Sequence, residues 1–168
     1  MNIPESLTSQ YRAAMQMLRS AVEACPESLW TDGATKNRFW HVAYHAVFYA
    51  DLYLTGSPEA FTPWEKGRAD YHYLGRKPSP HHEEPKIGEP YTKAEILEYL
   101  DRVAASVAAR VRQLPLDEPS GFPWLPFRRL ELHLYNVRHV QHHAGQLIDR
   151  IREKCGVGVG WVGMVRDE

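Results

Sequence analysis

Histidine is the residue type whose number and spacing invite a chemical reading. Nine occur among 168 residues, about twice what ordinary usage gives a chain this long. Neutral imidazole is a common ligand for divalent metals. The decisive run is Tyr135-Asn-Val-Arg-His-Val-Gln-His-His-Ala-Gly-Gln-Leu147. His139 and His143 stand four apart, so on a helix they project to one side, a turn from each other. Two imidazoles so placed can reach one ion at about 2.0–2.1 Å. A third ligand is offered by the run Phe39-Trp-His-Val-Ala-Tyr-His-Ala-Val-Phe-Tyr-Ala-Asp-Leu-Tyr-Leu54, where His41 and His45 are again four apart. Nearly everything around these two is apolar or aromatic, which buries a helix on most of its circumference. A buried histidine left without partners costs about 1–3 kcal/mol. A metal satisfies one ring nitrogen, and a carboxylate or backbone carbonyl can hold the other.

The remaining histidines are expected elsewhere. His41 reads as a surface or dimer-interface residue. His142 lies about 60° from His139 and about 100° from His143 on a helical wheel, a neighbour rather than a ligand. His133 faces about 120° away from His139 and is expected to be exposed. His72, His81 and His82 fall in an irregular stretch. Tyr49, four residues after His45, is the expected polar neighbour of the metal, with Asn136 and Gln146 on the helix faces nearby. Asp51 and Glu131 are the nearest acidic residues in sequence. Both stand off the ligand stripe and are weak candidates for a general base.

Four helices can position these groups. The first covers residues 4–24, where Tyr11, Ala14, Met15, Leu18 and Val22 return at spacings of three and four. The second covers residues 37–54. The third starts at Thr92, whose spacing to Glu95 is that of a capping box. It runs through Ile96, Leu100, Val103, Val107 and Val111 to Leu114, where Pro115 stops it. The fourth runs from about residue 127 to 154 and ends at Gly156. Residues 56–91 form a long irregular connection with six prolines (Pro58, Pro63, Pro78, Pro80, Pro85 and Pro90). Its aromatic residues Phe61, Trp64, Tyr71 and Tyr73 favour packing over free movement. The expected fold is all-α: one four-helix-bundle domain over residues 1–168, with a long connection between helices 2 and 3.

Composition excludes several classes. The net charge is −1, from 20 basic and 21 acidic residues, and leaves no electrostatic footprint for nucleic acid or an anionic membrane. No apolar run approaches the roughly 20 residues of a membrane-spanning helix. The polar start MNIPESLTSQYR carries no signal-like segment. Cys25 and Cys155 are expected at the ends of the first and last helices, as unpaired thiols of a cytoplasmic protein. A chain this long folds without a metal staple, so a metal here is functional rather than structural.

The two motifs together, Trp40-His-Val-Ala-Tyr-His45 and His139-Val-Gln-His-His143-Ala-Gly-Gln-Leu147, resemble the DinB/YfiT superfamily of damage-inducible-type proteins. The resemblance covers nearly the whole chain. It implies a four-helix bundle whose metal is held by one histidine of the second helix and two of the last: His45, His139 and His143. It also implies a homodimer, with zinc or nickel as the usual metal and manganese or iron as alternatives. Some relatives transfer low-molecular-weight thiols such as bacillithiol or mycothiol. The chain departs from the commonest pattern at Ala144, where arginine is frequent and would help hold an anionic thiol. Two functions are expected from this. One is a metal-dependent thiol S-transferase or hydrolase; the other is a non-catalytic metal-binding or ligand-sensing homodimer.

Overall fold

The computed structural model describes residues 2–113 and 115–165. Among them are five helices and no strand: α1 (Ile3–Ala24), α2 (Glu27–Trp30), α3 (Phe39–Tyr53), α4 (Lys93–Gln113) and α5 (Arg129–Cys155). The protein is therefore all-α, as its sequence predicts; the four-residue α2 was not expected from periodicity.

Local chemistry sets the helix ends. Asn2 Oδ1 accepts the Glu5 N–H at 3.2 Å and caps α1, which stops at Cys25, just before Pro26. At α4 the capping box forms: Glu95 Oε2 accepts the Thr92 N–H at 2.8 Å, and Thr92 Oγ1 accepts the Glu95 N–H at 3.2 Å. The expected end of this helix at Leu114 lies outside the described residues. Helix α5 begins two residues later than expected, because the Phe127 carbonyl is taken by the Ser120 N–H at 2.9 Å and Arg128 bridges to Pro119. It ends at Gly156 with φ 68°, a left-handed conformation that glycine adopts without steric cost.

Helices α1 and α3 each pack against both α4 and α5. The four long helices enclose one core that includes Leu18, Val22, Trp40, Ile96, Val107, Val140 and Leu147, all fully buried. Burial of each large aliphatic side chain there contributes about 1.5–3 kcal/mol. Residues 54–92 contain no helix, yet they are packed. Trp64 stacks on Tyr99 of α4 with ring centroids 4.7 Å apart, and Tyr91 stacks on Tyr44 of α3 at 4.8 Å. Cys25 is buried and Cys155 exposed; burial, the largest cause, pushes the Cys25 thiol up to about 12. No described helix is long and apolar enough to cross a membrane.

Asp51 belongs to this frame. Its carboxylate is fully buried, accepting the Tyr99 hydroxyl at 2.9 Å and the Arg110 guanidinium at 2.5 Å. Arg110 also donates to the Asp51 carbonyl at 3.1 Å, so the group ties α3 to α4. Removing one partner of a buried pair leaves an uncompensated charge. Arg110→Met is expected to cost about 3 kcal/mol, read from the urea midpoint at constant slope. A loss below about 0.5 kcal/mol would place the pair among ordinary surface contacts.

Candidate metal centre

Three histidines from two helices meet at one point. His45 projects from the middle of α3, and His139 and His143 project one turn apart from α5. His139 Nε2 lies 3.1 Å from His45 Nε2 and 3.2 Å from His143 Nε2. The three ligand atoms all fall within 4.8 Å of one another. Asn136, one turn before His139, locks the two helices in this register by donating to the Ala50 carbonyl at 3.1 Å.

The outer nitrogens decide what the inner ones present. His45 Nδ1 is 2.6 Å from the His72 carbonyl oxygen, which can only accept, so the proton sits on Nδ1 and Nε2 carries a lone pair. His143 Nδ1 donates likewise to the Gln146 amide oxygen at 2.8 Å. The Nε2 atoms of both rings thus point lone pairs at His139 Nε2. A neutral His139 has at most one proton for the two, and its own Nδ1 is buried without a partner. A cation at the meeting point satisfies all three nitrogens at once. The donor set therefore fits a divalent metal ion.

Electrostatics keeps these rings in the ligating form. Burial is the largest cause lowering His45 to about 2; the neighbouring histidines lower it further, and the His72 carbonyl opposes them. Burial, then His143 and His142, lowers His139 to about 3. His143 is lowered as well, again chiefly by burial. All three are neutral at neutral pH, as metal ligation requires.

The other sequence candidates sort clearly. His41 is not at the surface: it is 4% exposed, and its Nε2 donates to the Tyr71 carbonyl at 2.8 Å. The connection folds back over this part of α3 and covers it. His133 is not exposed either. It is buried with Nδ1 3.0 Å from the Tyr11 hydroxyl, because α1 packs on the flank of α5 away from α3. His142 is exposed beside His143, and His81 and His82 are exposed in the connection. Glu131 is exposed in the first turn of α5. Ala144 is fully buried in the core.

Around the cluster stands an aromatic wall. The Tyr49 ring lies 4.8 Å from His45 and 5.6 Å from His139, and Tyr135 stacks on His139 at 6.5 Å. Tyr53 packs between Tyr49 and Tyr135 and accepts from the indole N–H of the exposed Trp124 at 3.4 Å. Burial raises the Tyr49 and Tyr53 hydroxyls, so both keep their protons. Sequence reasoning missed Tyr53 and Tyr135. Their signal was present, Tyr135 one turn before His139 and Tyr53 two turns after His45.

The DinB superfamily model matches residues 10–147, a span that includes all three histidines and most of α5. The chain belongs to the DinB superfamily. No curated protein matches it. Within this DinB chain the cluster of His45, His139 and His143 is the histidine group able to hold a metal among the described residues.

Proposed function

We propose that this DinB chain is a single-domain four-helix bundle that binds one divalent ion, zinc or nickel, through the Nε2 atoms of His45, His139 and His143. We further propose that it is a metal-dependent enzyme of the thiol-transferase or hydrolase type. The observation that carries the reading is the convergence of three imidazole nitrogens, two of them held as bare lone pairs by outer hydrogen bonds. An ion held by three neutral nitrogens supplies a Lewis acid that favours the ionised form of a thiol or of water.

The chain's own residues favour the thiol. Asp51 is engaged by Tyr99 and Arg110 and Glu131 faces solvent, so neither carboxylate serves the cluster as a base. A free thiol already ionises near pH 8.5, so transfer does not depend wholly on the ion, whereas hydrolysis rests on the ion lowering bound water from about 15.7 to about 7. In the transfer, the thiolate sulfur bonds to an electrophilic carbon. The displaced group leaves with its electron pair and takes up the proton the thiol lost. Tyr49 and Tyr53 offer hydroxyl donors and ring faces to orient the electrophile. Ala144 contributes no cation, which suits a thiol without a strongly anionic tail. The reading includes a cytoplasmic homodimer acting on small molecules rather than on nucleic acid or membrane, and light scattering tests its mass.

The test of turnover uses zinc- or nickel-loaded protein with a panel of small thiols and activated electrophiles. Thiol consumption is expected with the intact chain and is expected to vanish in His143→Ala. Equal rates for the two proteins over the whole panel would leave metal binding without catalysis.

A further inference from the structure

The connection between α3 and α4 reaches the candidate centre through its backbone. A turn over residues 70–73 is closed by the Tyr73 N–H donating to the Asp70 carbonyl at 3.0 Å. Asp70 opens it at φ 70°. The turn delivers two successive carbonyls to one helix. Tyr71 O accepts from His41 Nε2 at 2.8 Å, and His72 O accepts from His45 Nδ1 at 2.6 Å. The acceptors are adjacent in the chain and the donors are one helical turn apart, so the turn is stitched along α3.

Further contacts hold the turn and the adjoining Leu74 in place. The His72 ring lies on Phe48 of α3 with centroids 4.3 Å apart and planes 15° from parallel. Asn37 Nδ2 donates to the Leu74 carbonyl at 3.0 Å, while the Asn37 carbonyl accepts from Arg150 of α5 at 2.9 Å. On the far side the Asp70 carboxylate accepts the Lys86 N–H at 3.2 Å and pairs with Lys77 at 2.8 Å. The carbonyl that meets His45 is thereby fixed from α3, from α5 and from within the connection.

A neutral imidazole carries one proton, and the partner of one nitrogen decides what the other presents. If His45 lost the His72 carbonyl, its proton could move to Nε2 and close that atom as a ligand. We propose that Asn37 and Asp70 are positioning residues, which hold the turn so that the His72 carbonyl keeps His45 in its Nδ1–H form with the Nε2 lone pair aimed at His139 and His143. The positioning is a property of the metal-free chain; its consequence for affinity rests on the metal reading above.

The test is a long-range proton–nitrogen spectrum of metal-free protein labelled with ¹⁵N-histidine, combined with zinc titration. In the intact chain His45 is expected as the Nδ1–H tautomer. In Asn37→Asp, which keeps the shape and loses the donor, and in Asp70→Ala, the Nε2–H tautomer is expected to appear. Zinc affinity is expected to fall about 10- to 100-fold with it, the usual cost of losing an outer-sphere partner. A purely structural role would lower the unfolding midpoint and leave the tautomer unchanged. Finding the Nε2–H form in the intact chain overturns the proposal without needing any variant. So does an unchanged tautomer in both variants. Should the intact chain bind no zinc while the tautomers shift as expected, the positioning stands and the metal reading falls.

Discussion

His143→Ala is expected to leave the purified protein without stoichiometric metal, and His45→Ala and His139→Ala are expected to do the same. Each removes one of three nitrogens that now sit within 4.8 Å of one another. Loss of an outer-sphere partner alone typically costs about 10- to 100-fold in metal affinity; losing a direct ligand should cost more, because only two imidazoles would remain. His41→Gln is the control. His41 donates to the Tyr71 carbonyl and takes no part in the cluster, and glutamine retains a donor. Elemental analysis of the four variants beside the intact chain decides the matter. Metal retained in any of the three alanine variants contradicts the assignment; metal lost in His41→Gln with the fold intact would point to the turn that its Tyr71 contact holds.

Acid is expected to destabilise the metal-free protein well above the pH at which carboxylates titrate. His133 shows the effect away from the cluster. It is 1% exposed, and burial first, then Arg129, lowers it to about 4. In the unfolded chain it titrates near 6.5. Above that value both states hold it neutral and its contribution to stability is fully present. As pH falls from about 6.5 toward 4 the unfolded chain takes up a proton that the folded one refuses, and stability is lost. Each tenfold difference in proton affinity is about 1.4 kcal/mol, so the loss from this residue approaches about 3 kcal/mol by pH 4. Urea unfolding at pH 7 and pH 4.5, in chelator, should show it for the intact chain. His133→Gln should be less stable at pH 7, with the Tyr11 hydroxyl losing its contact to the imidazole, and should show a shallower fall with pH. A variant with the same pH dependence as the intact chain would show that His133 does not set it.

The helices were legible because their signals are local. The repeat of Tyr11, Ala14, Leu18 and Val22, the Thr92–Glu95 box and the glycine at 156 each act over a few residues, and each forms as its chemistry requires. The i, i+4 pair His139 and His143 was legible for the same reason, since helical spacing alone puts the two rings on one side. The family motifs pointed to His45 as their companion. What could not be read locally is which flank of a helix is covered. The wheel turns His133 away from His139 and so predicts it in solvent, yet that flank meets α1 and holds Tyr11. The face that carries His41 reads as surface in the sequence, and the connection covers it.

Bonds between residues three or four apart are enough to dictate the all-α class, the helix caps and the ring spacing on α5. Packing of distant segments brings residues 45, 139 and 143 to one point and sets the carbonyl of residue 72 against the ring of residue 45. Contacts such as His45 to His72 and His45 to His139 join distant segments. Their geometry depends on how α3, α5 and the connection pack together, and no short-range pattern in the chain encodes that.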